Sequence, residues 1–223
     1  MVISFRNAGL TRDAIADESL FQLLSGSDTT ATTIRTGFLS IMTNPHIYAK
    51  LQAEVVAVDI PMSKVISTKQ ALKLPYLQAT IREALRHYPA ATGLLPRVVG
   101  PLGDTWKGVY LPPGTIVGYC AWNIHRNNTK VYGDDAAVFR PERWLDAPPE
   151  RVALMEEAFY LVFGYGRFRC MGENIARLEL NKIFFELFRR FDWSVIDPMK
   201  PFEKNANYGL FVQKGMWVKV VER

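Results

Sequence analysis

The chain has 223 residues, 48% hydrophobic and 22% charged, with 27 basic and 22 acidic side chains and a net charge of +5. That is ordinary globular composition at a length for one or two domains, able to bury roughly 70% of its unfolded surface. Its two cysteines exclude a disulfide framework and point to a reducing compartment, the mild basic excess reads as solvated surface rather than a nucleic-acid footprint, and no apolar run of about 18 residues is available to span a membrane.

The opening MVISFRNAGL lacks the basic start and cleavage site of a signal peptide. A long helix is expected over 11–43: Thr11 is a good N-cap, and no proline interrupts the stripe Leu20, Leu24, Ala31, Ile34, Phe38 and Ile41 before Asn44-Pro45 stops it. Its middle, Ser25-Gly26-Ser27-Asp28-Thr29-Thr30, puts poor helix formers where such a helix should be strongest. Local conflict of that kind marks functional sites, and a Thr hydroxyl bonding back to a carbonyl one turn earlier can open a helix. A Ser/Thr-rich solvent face explains the same residues.

Residues 45–89 read as a helical segment, with helices over 48–58 and 68–72 and a third opened by Pro75 and stopped by Pro89. On the third, Leu77, Ile81, Ala84, Leu85 and Tyr88 form an apolar face and Glu83 and Arg86 an opposite, surface-type pair. Residues 91–145 change to strand character over 94–99, 109–111 and 115–122, with a Pro112-Pro113-Gly114 turn, giving a small sheet on a helical body. Cys120 falls inside the last of these strands and reads as core. Residues 146–191 read as a proline-containing loop over 146–150 leading to a glycine-rich stretch and a helix, and residues 192–223 as a terminal strand pair over 208–212 and 216–221.

The glycine-rich stretch is FGYGRFRCMG, residues 163–172. Gly164, Gly166 and Gly172 permit backbone angles and close approach that side chains forbid, so the main chain can lie against a large flat partner. Helical spacing then runs through Ile175, Leu178, Ile183, Phe184, Leu187, Phe188 and Phe191, which places Cys170 at a helix N-terminus where unpaired N–H groups favour a negatively charged sulfur. Zinc and iron–sulfur sites need clustered ligands, whereas Cys120, Cys170, His46, His87 and His125 are scattered; a single axial thiolate suits haem iron. An inert buried cysteine is the plain alternative. Gly-aromatic-Gly before basic residues is also similar to an RNA-stacking strand, but no long apolar helix follows such a strand.

FGYGRFRCMG resembles the haem-binding loop of the cytochrome P-450 monooxygenases, F-x-x-G-x-R-x-C-x-G, with Phe168 in place of the arginine and Arg167 and Arg169 on either side. SGSDTT resembles the family's segment over the distal haem face, with Ser25 in place of Ala or Gly. EALR at 83–86 and FRPERW at 139–144 match its buried Glu-Arg-Arg cluster, and NIHRN matches its turn at His125. The resemblance implies the C-terminal half of that fold, mainly α with a small β-sheet. It implies haem b bound through Cys170, with Phe163, Gly164, Gly166, Gly172 and Gly26 beside it and the propionates left to Arg97, Arg167 or Arg169. It also implies Asp28 and Thr29 in proton delivery, Glu83, Arg86 and Arg143 as a structural lock, and Leu24, Ser25, Leu94, Leu95, Leu210 and Phe211 as substrate contacts.

The activity implied is insertion of one oxygen atom from O2 into a small apolar organic substrate, with electrons from NADPH through a cytochrome reductase. NPHIYAKLQAEV and FRPERWLDA resemble fungal members of secondary metabolism. By that resemblance the full-length protein works on the cytoplasmic face of the endoplasmic reticulum, held by an N-terminal anchor outside these residues. The alternative reading is a truncated or vestigial haem-binding fragment, incompetent alone because the family's first half is absent.

Overall fold

The computed structural model describes residues 2–223 and is mainly helical with short antiparallel strand pairs. In chain order the elements are α1 (Val2–Asn7), α2 (Arg12–Met42), α3 (Pro45–Val56), α4 (Thr68–Ala71), α5 (Pro75–His87), β1 (Leu94–Val98), β2 (Asp104–Trp106), β3 (Val109–Leu111) and β4 (Ile116–Cys120). Then come α6 (Ala121–Arg126), α7 (Thr129–Tyr132), α8 (Arg143–Asp146), α9 (Pro149–Phe159), two 3-10 turns (Tyr160–Phe163 and Gly166–Phe168), α10 (Glu173–Arg190), β5 (Phe191–Val195), β6 (Lys204–Asn207), β7 (Phe211–Lys214) and β8 (Val218–Glu222).

Helix α2 starts where Thr11 Oγ1 accepts from Ala14 N and ends before Asn44, whose side chain donates to Ser40 O. Its hydroxyl-rich middle does bond back, Ser27 to Leu23 O and Thr29 to Ser25 O at 2.7 and 2.8 Å, yet the helix runs through unbroken. A carbonyl oxygen has two lone pairs and can accept the hydroxyl without giving up its helical N–H. The opening expected there is therefore absent.

The core forms where the second half of α2 meets α10 and β5: Phe38 packs on Phe184, Phe188 and Trp193 with ring centroids 4.7 to 5.3 Å apart. Gly37 allows this approach, since a Cβ there would lie 2.7 Å from the Phe184 ring. Helix α5 is buried on both faces, so Glu83 and Arg86 are not the surface pair that their spacing suggests. Its N-terminus lacks a capping side chain of its own. Glu54 from α3 supplies one, accepting from Tyr76 N at 2.9 Å and Leu77 N at 2.7 Å.

The strands depart furthest from the sequence reading. They form four separate two-stranded ribbons, β1–β4, β2–β3, β5–β8 and β6–β7, so that the small sheet expected over 91–145 is two ribbons. The terminal strands expected to pair with each other do not: β7 pairs with β6, and β8 returns to β5 directly after α10. The strand expected over 115–122 stops at Cys120, because Ala121 is buried at the start of α6 and the Trp122 ring packs on Tyr88. The loop expected after Asp146 gives way at Pro149 to α9, whose Met155 and Phe159 reach the core.

Candidate active site

Cys170 lies on a loop that its own backbone fixes. Its N–H donates to Phe163 O at 2.7 Å, and Arg169 N donates to Gly166 O at 3.0 Å. Gly164 and Gly166 have φ of +82° and +64°, and a Cβ on Gly164 would also crowd Phe168 O at 3.1 Å. Helix α10 begins three residues after the cysteine, with Gly172 as its N-cap. Its first residue, Glu173, accepts from Arg169 Nη2 at 2.7 Å and Arg177 Nε at 3.0 Å, and the Arg177 guanidinium lies 5.0 Å from the centre of the Phe163 ring. The result is a braced loop that presents an exposed, disulfide-free sulfur.

Two straps join this loop to the β1–β4 ribbon. Arg97 Nη2 donates to Tyr165 O at 3.2 Å, and Tyr119 OH donates to Leu161 O at 3.1 Å. Leu94 is exposed and Leu95 half-buried at the start of β1. The β6–β7 hairpin reaches them from the other side: Thr92 N donates to Gly209 O at 2.8 Å, and Leu210 bridges to Ala91. The structure thus brings Leu94, Leu95 and Leu210 to neighbouring segments. The Phe211 ring is engaged elsewhere, 4.3 Å from that of Tyr88 and 5.9 Å from that of Trp122. Cys120 donates its S–H to Thr92 O at 3.2 Å and is half-buried, less enclosed than a core residue.

Leu24, Ser25, Gly26 and Asp28 are exposed on the first half of α2 and Thr29 is half-buried. A Cβ built on Gly26 meets nothing within 4 Å, in contrast to Gly37 eleven residues on.

Glu83, Arg86 and Arg143 meet in a buried network. Glu83 takes a two-pronged contact from Arg86, at 2.7 and 2.8 Å, and accepts from Arg143 Nε at 3.0 Å, Arg140 N at 2.8 Å and Trp144 Nε1 at 2.9 Å. Arg86 and Arg143 spend their remaining donors on the carbonyls of His125, Tyr132, Asp135, Ala136 and Val138, and Arg143 also pairs with Asp135. Burial works to raise the Glu83 carboxyl, but the hydrogen bonds and charge of Arg86, with Arg143 behind it, outweigh burial and hold it below the ordinary carboxylate range. Burial, assisted by the Arg86 charge, pushes His125 down to about 3, and burial with Arg126 takes His87 to about 4. Asp135, Trp144 and Glu173 were not singled out in the sequence. For Glu173 the signal was available, as arginines four residues before and after it.

The donor set suits one flat prosthetic group better than a bare ion. No cluster of three His, Cys, Asp or Glu residues that could hold a metal exists among the described residues, while the Cys170 loop presents one exposed sulfur on glycine backbone. Residues 4–217 match the family model described as Cytochrome P450. The chain belongs to the cytochrome P450 family. Cytochrome P450 monooxygenase ABA1 of Pyricularia oryzae is 43% identical over 100% of this chain, which covers 44% of that relative. The aba1 monooxygenase of Botryotinia fuckeliana is 38% identical over 100% of the chain and 44% of its own length, and gsfF of Penicillium aethiopicum 37% over 94% and 41%. The chain thus spans less than half the length of these curated relatives. As the C-terminal part of a P450 fold, it contains no helix among the described residues long and apolar enough to cross a membrane.

Proposed function

We propose that these residues are the thiolate-bearing half of a haem-dependent monooxygenase that inserts one oxygen atom from O2 into a small apolar organic substrate. The observation that carries this reading is the Cys170 sulfur, exposed on a braced glycine loop at the start of α10. Haem b, when bound, supplies the oxygen-activating chemistry, with electrons from NADPH through a reductase. The chain's own contributions are the thiolate, the backbone of residues 163–172, the cations of β1 and the Cys loop, and the hydroxyl ladder of α2.

On α2, Thr29 Oγ1 rests its proton on Ser25 O and keeps its lone pairs free. Rotated off that carbonyl, the hydroxyl would take up a proton relayed from the exposed Asp28 side chain and hand its own to a ligand bound over α2, which is general acid work. Leu24, Ser25, Leu94, Leu95 and Leu210 would orient substrate, while Phe211 supports the hairpin from behind. In its full-length form the enzyme would act at the endoplasmic reticulum membrane, anchored outside these residues. Its use in fungal secondary metabolism is part of the same proposal.

The test is spectroscopic. In a full-length context, reduced and exposed to carbon monoxide, the protein should show the red-shifted Soret band of thiolate ligation; Cys170→Ser should lose it and Cys120→Ser keep it. The opposite result removes the assignment. Thr29→Ala should release more hydrogen peroxide per NADPH consumed, and unchanged coupling counts against the relay.

A second reading concerns residues 1–223 taken alone. Leu20, Phe21, Leu23 and Leu24 are all more than half exposed along one helix, a contiguous apolar surface of the kind that drives association. Expressed by itself, the chain is expected to bind haem weakly, associate, and fail to couple electron flow to product. Stable stoichiometric haem with coupled turnover would reverse that reading.

A further inference from the structure

We propose that Phe168, the ring standing where the family's loop pattern carries an arginine, is a positioning residue that holds the Arg97 guanidinium as the chain's principal cation for the haem carboxylates. The inference rests on the haem reading above and decides between three arginines that the sequence leaves open.

Arg169 is already committed. Its Nη2 pairs with Glu173 at 2.7 Å and its guanidinium stacks 3.6 Å from the centre of the Tyr160 ring. One nitrogen, Nη1, is buried without a partner, but the Glu173 carboxylate, shared with Arg177, and the Tyr160 ring already hold the group. Arg167 is exposed on the 3-10 turn, its guanidinium 5.8 Å from the Phe168 ring centre.

Arg97 is different. Nη1 donates to Pro96 O at 2.7 Å and Nη2 to Tyr165 O at 3.2 Å, while the guanidinium lies over the Phe168 ring, 4.7 Å from its centre. Two carbonyls and a π face fix its direction, and none of them neutralises its charge. No carboxylate pairs with it among the described residues. A guanidinium has five N–H donors in a fixed fork, so an oriented fork without a carboxylate keeps donors for an anionic ligand. Here that ligand would be a carboxylate of the prosthetic group. The Phe168 ring itself is 65% exposed, so its packing contributes little to the fold, and its evident partner is Arg97.

The experiment measures haem loss from the full-length, haem-loaded protein to an excess of a haem-scavenging apoglobin, together with the ferric–ferrous potential, in wild type, Phe168→Leu, Phe168→Tyr, Arg97→Ala and the Phe168→Leu/Arg97→Ala double variant. An exposed cation–π contact corresponds to about a two- to fivefold effect. Phe168→Leu should speed haem loss by about that factor and lower the potential, as displacing a positive charge from the haem requires. Phe168→Tyr should restore wild-type values because the π face is kept. Arg97→Ala should be the larger effect, and in its background Phe168→Leu should add nothing, the signature of a residue acting through its partner. Wild-type haem loss in Phe168→Leu, or an effect that persists in the double variant, overturns the proposal. Unchanged haem loss in Arg97→Ala overturns it too by removing its premise, yet leaves the Cys170 carbon monoxide band, and so the haem-thiolate reading, intact.

Discussion

Around Glu83 every charge is answered within the chain: two guanidiniums, an indole N–H and a backbone N–H converge on one carboxylate, and both arginines are used up on carbonyls. Along the first half of α2 and on the Cys170 loop the pattern is reversed. Asp28, Leu24 and Cys170 face solvent, although the segments carrying them are braced from behind. The lock that sets the backbone is thus self-contained, while the surfaces that would do chemistry are supported but not enclosed. One helix carries the whole contrast, since α2 has its buried residues only from Thr32 onward.

The largest expected effect separates the two regions outright. Glu83→Ala leaves Arg86, Arg143 and the Trp144 indole buried without their acceptor, and breaking a buried ion pair from one side costs about 3–5 kcal/mol. The urea midpoint should fall accordingly. Asp28→Asn, on the open side, should stay within about 0.5 kcal/mol of wild type. Equal losses in the two variants would erase the distinction.

Gly37→Ala probes the packed half of α2. The added methyl would meet the Phe184 ring at 2.7 Å and Ala84 Cβ at 3.1 Å, both within the core. Overpacking of that kind costs about 1–3 kcal/mol, despite the better helix propensity of alanine. Thermal unfolding reads it directly.

Much of this was legible in the sequence, for identifiable reasons. Thr11 and Pro45 bracket α2 because capping and proline effects are local, and Pro75 and Pro89 bracket α5 for the same reason. What failed depended on distant partners. Glu83 and Arg86 carry a surface spacing, so their burial was legible through the motif resemblance and not through that spacing; α6, α7, α8 and the loop before α8 bury them. The pairing of β8 with β5 rather than β7 is set by where α10 ends, which no short pattern encodes. Helix α9 did leave a trace, Val152, Met155 and Phe159 at spacings of three and four, that its prolines obscured. At the candidate site, motif resemblance singles out Cys170, Arg97, Arg167 and Arg169, but the diversion of Arg169 to Glu173 is a three-dimensional fact.

Acidification tests the closed region by another route. The folded-state values of His125 and His87, about 3 and about 4, lie below the 6.5 of an unperturbed histidine. The unfolded chain therefore takes up protons first, so this stability is fully present above about pH 6.5 and is lost as pH falls toward about 4 for His87 and about 3 for His125. Glu83 is also lowered, and its contribution is lost only further down, as pH falls through the carboxylate range. Removing one such histidine should flatten the pH dependence by about 1.4 kcal/mol per pH unit. Urea titrations of wild type and His125→Gln between pH 4 and 6.5 measure that slope, and parallel curves would show that His125 is not held neutral.

The smallest effect falls on the open half of the same helix. Gly26 is helical and exposed, and a methyl built on it touches nothing within 4 Å. By backbone entropy alone, Gly26→Ala should stabilise the isolated chain by about 0.4–1 kcal/mol, opposite in sign to Gly37→Ala. The open space has a second consequence if it is reserved for a flat group, as the proposed function holds. In the full-length, haem-loaded protein the same methyl would occupy room that the glycine leaves, so haem should bind more weakly even as the polypeptide becomes harder to unfold. Unfolding of the isolated chain and haem transfer from the loaded protein separate the two quantities. A gain in stability with unchanged haem retention would place Gly26 on an ordinary solvent face, whereas opposed changes would put the exposed half of α2 against the haem.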